Sequence, residues 1–275
     1  MQVNLAGNML CGLYMDEDRN MVGTYTAEGI KAIAQSIAVN TSASITSIGK
    51  DGLNLKGNRL GDEGWGAIFA AVCSSEASKI TSVDASREKI GPEGAKLIGQ
   101  ALRNSANASL TDLNLADNEI GGHYDDDDDD DDFIETPEGT TAIADALRVN
   151  SSLTELSVAD NNLGPSGAQA IAEGIKATKS LKKLDISNRN GSSSGDIKSE
   201  GAKYIAEAIA NNASLTEVLA FRESAPATHP RLTACCIVCR STSMVLPSQS
   251  RSLRAPFLSV RSISLGSVSV LHRLL

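Results

Sequence analysis

The hydrophobic positions of this chain return in one frame. The stretch LTDLNLADNEIG (110–121) aligns with LTELSVADNNLG (153–164), with ITSVDASREKIG (80–91) and with LKKLDISNRN (181–190). Leu113 and Leu115 alternate with Asp112, Asn114 and Ala116, the period-two pattern of a strand with one buried face. A second kind of block, at 26–40, 62–73, 92–104, 136–150, 165–177 and 199–212, keeps helical spacing, as in Ala95, Ile98, Ala101 and Leu102 or Ala168, Ile171 and Ile175. Ile80 to Leu110 spans 30 positions and Leu153 to Leu181 spans 28, while two longer steps of 43 and 34 hold insertions. A single strand and helix cannot bury an apolar face alone, so about six units are expected to stack.

Three recurring positions refine this picture. Asn118 follows the strand, as do Asn8, Asn58 and Asn161, and a buried amide there can both donate to and accept from the backbone of adjacent units. Glu88 and Arg189 stand in its place in two units. Thr136 before Pro137 predicts an N-cap and a helix start, with Pro92 and Pro165 in the same register. Gly29, Gly64, Gly94, Gly139, Gly167 and Gly201 share one place in the first helical turn. Glycine costs about 1 kcal/mol against alanine in a helix, so its recurrence predicts a close approach of helix and strand backbones. No phosphate-binding spacing accompanies these glycines.

The units SLTDLNLADNEIG and PEGAKLIGQALRN resemble the ribonuclease-inhibitor-like class of leucine-rich repeats, which also occurs in NOD-like receptors and Ran GTPase-activating proteins. The resemblance covers about residues 1–221 and implies an α/β solenoid, a horseshoe with parallel strands on the concave face and helices outside. It implies no single function, because this scaffold carries many unrelated partners.

Composition fits such layers. The chain is 41% hydrophobic and 3% aromatic, so its core is built from Leu, Ile, Val and Ala. Residues 222–275 hold seven Arg and one acidic residue, Glu223, leaving 18 basic and 33 acidic side chains in the rest. An acidic body repels nucleic acid and anionic membrane and favours a basic partner. The tail reads either as a disordered Ser/Arg-rich segment or as the product of a frame change or retained intron. The array opens in mid-repeat at Val3-Asn4-Leu5, which marks a fragment or an edge that something covers. MQVNLAGNML shows no secretory signal and the five cysteines no disulfide framework, so a cytoplasmic setting is expected.

Insertions at 9–23, 122–135 and 189–197 all fall between strand and helix and are expected on one rim. Asp125 to Asp132 reads as a disordered acidic loop, without the internal glycine of a calcium turn. Neither His123 nor the Cys236/Cys239 pair has companions that would make a metal site, and no catalytic constellation or cofactor motif appears.

These readings favour a non-enzymatic interaction scaffold whose partner lies on the concave strands and the acidic rim. Its exposed positions form a row of Asn4, Asn54, Asp84, Asn114, Ser157 and Asp185, beside Gln2, Gly52, Ser82, Asp112, Glu155, Lys183 and Glu217. Within these rows, Asn54, Asp84, Asp112, Asn114, Glu155, Ser157, Asp185 and Glu217 are the candidate contacts. The alternatives are a Ran-type GTPase-activating role, with Arg19 as its arginine, or a repeat piece of a larger NOD-like sensor.

Overall fold

A computed structural model describes residues 2–39, 45–106, 109–124, 133–188 and 196–219. The sheet strands are β1 (Val3–Asn4), β4 (Ser47–Ile48), β5 (Leu53–Asn54), β6 (Ser82–Asp84), β7 (Asp112–Asn114), β10 (Glu155–Ser157), β11 (Lys183–Asp185) and β12 (Glu217–Leu219). They form one eight-stranded parallel sheet in the order β1-β5-β4-β6-β7-β10-β11-β12. Between them run α1 (Glu28–Val39), α2 (Gly61–Ser74), α3 (Pro92–Arg103), α4 (Pro137–Val149), α5 (Gly164–Ala177) and α6 (Lys198–Ala210), each packed on the next. This is the expected α/β solenoid.

Its core follows the repeat. Val83, Leu113, Leu156, Leu184 and Val218 pair across successive strands and are buried, as are Ile98, Ile171 and Ile175 on the helices. Apolar columns therefore run the length of the array, and each layer is buried by its neighbours.

The asparagine ladder forms as expected. Asn118 Nδ2 donates to the carbonyls of Ala85 at 3.0 Å and Leu115 at 2.8 Å, while its Oδ1 accepts the N–H groups of Glu88 and Ile90, both at 3.0 Å. Asn58 does the same for Leu5, Leu55 and Asn8, and Asn161 for Leu115, Ala159 and Ile120. Asn8, in the first unit, is exposed, and its side-chain amide donates to the Ala6 carbonyl of the same unit at 3.3 Å.

Three expectations change. Thr136 makes no side-chain cap bond, and its buried hydroxyl has no partner. Two other helix starts are served from neighbouring units: Asp62 accepts the Gly91 N–H at 2.8 Å at the head of α3, and Glu135 accepts the Ser166 N–H at 2.9 Å in the first turn of α5. The recurrent glycines do mark a close approach, but to their own unit's segment between strand and helix and, in the later units, to the preceding helix. A Cβ on Gly139 would lie 2.7 Å from the Ile120 carbonyl oxygen and 2.9 Å from the Pro92 Cα.

The third change concerns Gly52. Ile45 to Ile80 spans 35 positions, so this unit holds five residues more than the next. Ser47 and Ile48 pair with Ser82 and Val83, while Leu53 and Asn54 pair with Val3 and Asn4. Gly52 therefore does not sit beside Ser82. It is buried at the end of an inserted turn, where its carbonyl accepts the Val3 N–H at 3.0 Å.

Two insertions begin and end as antiparallel pairs, β2 (Leu13–Met15) with β3 (Met21–Gly23) and β8 (Gly122–Tyr124) with β9 (Phe133–Glu135). The first closes through Asp16, whose carboxylate accepts the Asn20 N–H at 2.8 Å. Asp125 to Asp132, Arg189 and most of the third insertion, and the segment from residue 220 with Cys236 and Cys239 lie outside the described residues. Among the described residues no helix is long and apolar enough to cross a membrane.

Candidate functional site

The strand face opens as a cavity of about 690 Å³. Strand geometry decides which residues reach it: alternate residues of each strand point away from the helices. Of the candidate contacts, Asp84, Asp112, Asn114, Glu155, Ser157, Asp185 and Glu217 line this cavity together, and Asn54 does not.

The two rows differ. In the first row the side chains from Asn54 to Asp185 are half-buried and partly committed to the backbone. Asn54, Asp84, Asn114 and Asp185 each accept, through Oδ1, the N–H two residues on, at 3.0 to 3.2 Å. These Asx turns steer the chain out of the strand. Asn114 also donates to Asp84 at 3.1 Å. The Asn/Asp preference of this row thus has a structural cause beside any role in binding.

The second row is ionic. Lys183 bridges Glu155 on the neighbouring strand at 2.9 Å, a directly paired cross-strand contact. Enclosure pushes the Asp112 carboxyl up, and the charges of Glu155 and Asp84 push the same way against the pull of Lys183. Glu155 adds a nearby negative charge for Lys183, and the ammonium is held above its ordinary range by its bond to that carboxylate.

Sequence reasoning found one cation on this face, and the structure adds three. Lys50, in the five-residue insertion, Lys56 and Arg87 line the same cavity. Lys56 pairs with Asp84 at 3.4 Å and Arg87 with Asp117 at 2.8 Å. The longer step from Ile45 to Ile80 was the signal for Lys50. The face is consequently uneven: among the described residues lining the cavity, cations mingle with carboxylates near β4 and β6, whereas on the strands β7 to β12 Asp112, Glu155 and Glu217 flank Lys183.

At the edge of the strands a threonine ladder completes the sheet. Thr81, Thr111 and Thr154 each donate a hydroxyl to the carbonyl of the residue before them in the ladder, Thr46, Thr81 and Thr111, at 3.0 to 3.1 Å. Thr216 does so to Lys182.

Arg19 lies exposed in the turn between β2 and β3, with φ +65°, next to Asp16, Glu17 and Asp18. Among the described residues, no group of three or more His, Cys, Asp or Glu side chains is arranged to hold a metal.

Three stretches, 53–69, 106–122 and 149–172, match a family model described as Leucine Rich repeat. Among solved structures, the actin-binding site 2 of leiomodin-1 is 19% identical, with 64% of this chain and 87% of that one covered and a TM-score of 0.42. The tropomodulin C-terminal domain of Caenorhabditis elegans is 16% identical over 68% and 92%, and LegL7 of Legionella pneumophila, a leucine-rich repeat-containing protein, 18% over 79% and 55%, each with a TM-score of 0.42. No curated protein matches.

Proposed function

Since the chain is a leucine-rich-repeat protein, we propose that it is a non-enzymatic scaffold of the cytoplasm that binds a protein partner with a basic surface along its strand face. The observation that carries this reading is the carboxylate excess from β7 to β12, where Lys183, the one cation among those lining residues, is already paired to Glu155. Basic groups approaching it gain from the summed field and orient on the row of Asp112, Glu155 and Glu217. The strand-face cavity has no aromatic lining residue, so the Trp and Tyr anchors of the tightest interfaces are missing on this side. Binding of moderate affinity, steered by charge, follows.

A labelled nine-residue oligoarginine peptide serves as the probe. Its affinity for the chain falls steeply between 50 and 500 mM salt, on the order of the loss expected when several screened ion pairs are broken. It falls again in the triple variant Asp112→Asn, Glu155→Gln, Glu217→Gln. Affinity that ignores salt, or that survives the triple substitution, overturns the reading.

A further inference from the structure

On the strands β7 to β12, among the described residues, Asp112, Glu155 and Glu217 stand with one cation, Lys183. Residues 222–275 contain seven Arg, no Lys and one acidic side chain, Glu223. The strand β12 ends the sheet, and Arg222 follows its last residue, Leu219, by three positions. A chain advances at most about 3.3–3.6 Å per residue, which puts Arg222 within roughly 11 Å of the strand end and Arg231 within roughly 45 Å. Crossing the face from β12 to β7 takes three interstrand steps of about 4.8 Å. The segment therefore starts at the acidic edge and is long enough to traverse it.

The cross-strand row gives the docking surface its geometry. Asp112, Glu155, Lys183 and Glu217 are in register on consecutive parallel strands, so their side chains stand one interstrand step apart. Lys183 is ion-paired with Glu155. Carboxylates on either side of that pair are spaced for guanidinium groups, which donate two hydrogen bonds to one carboxylate and tolerate partial burial.

We infer that the Arg-rich segment 222–275 docks in cis on the β7–β12 half of the strand face and competes there with a basic partner in trans. This rests on the strand face being a site for basic groups, as proposed above. A tether of this kind holds its ligand at about millimolar effective concentration, so even a weak contact occupies the face. Partner binding then requires displacement of the segment, and modification of its serines with phosphate would weaken the hold by adding negative charge.

The test compares the full chain with a full-length variant carrying Arg222→Gln, Arg231→Gln, Arg240→Gln, Arg251→Gln and Arg254→Gln, using the oligoarginine probe at 50 mM salt. The variant binds the probe about tenfold more tightly, because the tethered competitor is lost. Adding Asp112→Asn, Glu155→Gln and Glu217→Gln removes the gain. Equal affinity of the two proteins, with binding still lost on neutralising the face, overturns docking in cis and leaves the interaction face standing. Failure of the probe to bind either protein overturns both.

Discussion

Two neighbouring joints of the solenoid solve the same problem with different residues. At the joint below β7, Asn118 donates to and accepts from four backbone groups of its own and the preceding unit. At the joint below β6, Glu88 takes the asparagine's place, and among the described residues it makes no such ladder of bonds to the backbone. A carboxylate accepts but cannot donate, so it cannot serve both kinds of backbone group. Burial accordingly pushes the Glu88 carboxyl up to about 7, against the pull of the Trp65 indole N–H and of Lys56, with Asp84 pushing further up. The indole N–H lies near this carboxyl without reaching full hydrogen-bond geometry.

The exchange extends into the core. Trp65 stands where the sister helices carry Ile30, Ala95, Thr140, Ala168 and Ala202, and Ala85 stands where the sister strands carry Leu55, Leu115, Val158 and Ile186. Trp65 is 1% exposed and Ala85 fully buried, so a large helix residue and a small strand residue of adjacent units both belong to the core. The helix of one unit has thus gained volume where the strand of the next has lost it, and that next unit carries a titratable acid in place of a neutral amide. A repeat frame tolerates such a change when its compensation lies in the adjoining layer.

The largest expected effect is on that volume swap. Trp65→Ala costs about 3–5 kcal/mol in chemical denaturation, because Ala85 cannot fill the cavity. Restoring the strand side with Ala85→Leu recovers part of the loss; a double variant no more stable than Trp65→Ala breaks the idea that the two positions compensate. Next comes the ladder. Asn118→Ala leaves buried N–H groups of Glu88 and Ile90 unpaired and costs about 2–4 kcal/mol, whereas Asn8→Ala, at the exposed end, changes stability little. Equal losses at the two sites remove the distinction between an inner and an end joint.

A smaller effect separates the two joints by pH. Folded Glu88 keeps its proton to about 7, while the unfolded chain releases it near 4.5, so the folded state binds more protons in that window. Stability from this group is complete below pH 4.5 and declines as pH rises to 7, by about 2 kcal/mol after allowance for its partial exposure. Glu88→Gln removes this decline, and a denaturation series whose pH dependence is the same in both proteins contradicts the assignment. The smallest effect is at the surface. Lys183→Met leaves thermal stability unchanged within error, because the ion pair is exposed, yet it tightens oligoarginine binding a few-fold by removing the cation of the acidic half.

Much of this was legible in the sequence because a repeat prints its core several times over. The columns through Leu113 and Leu156, the six helices and the roles of Asn58, Asn118 and Asn161 follow from period and side-chain chemistry. The inserted turn before Leu53 was not read, since Gly52-Leu53-Asn54 fits the strand frame as well as Ser47-Ile48 does, and only the total spacing tells them apart. Thr136 does not cap α4, and at α3 and α5 first-turn donors are met from the adjacent unit, by Asp62 and Glu135, a contact that no local pattern encodes. On the strand face, Asp112, Glu155 and Glu217 were found by alternation alone. The cations Lys56 and Arg87 leave the strand through its exit turn and escape a strict period-two reading.

The central claim is that basic groups are received on the strand face from β7 to β12. Backbone NMR of the full chain, titrated with the oligoarginine peptide at low salt, locates the contact directly. The account predicts that the amides of Asp112, Glu155, Lys183 and Glu217 shift first and return on adding salt. Shifts confined to the outer helices or to the β2–β3 hairpin, with these four amides unmoved, contradict it.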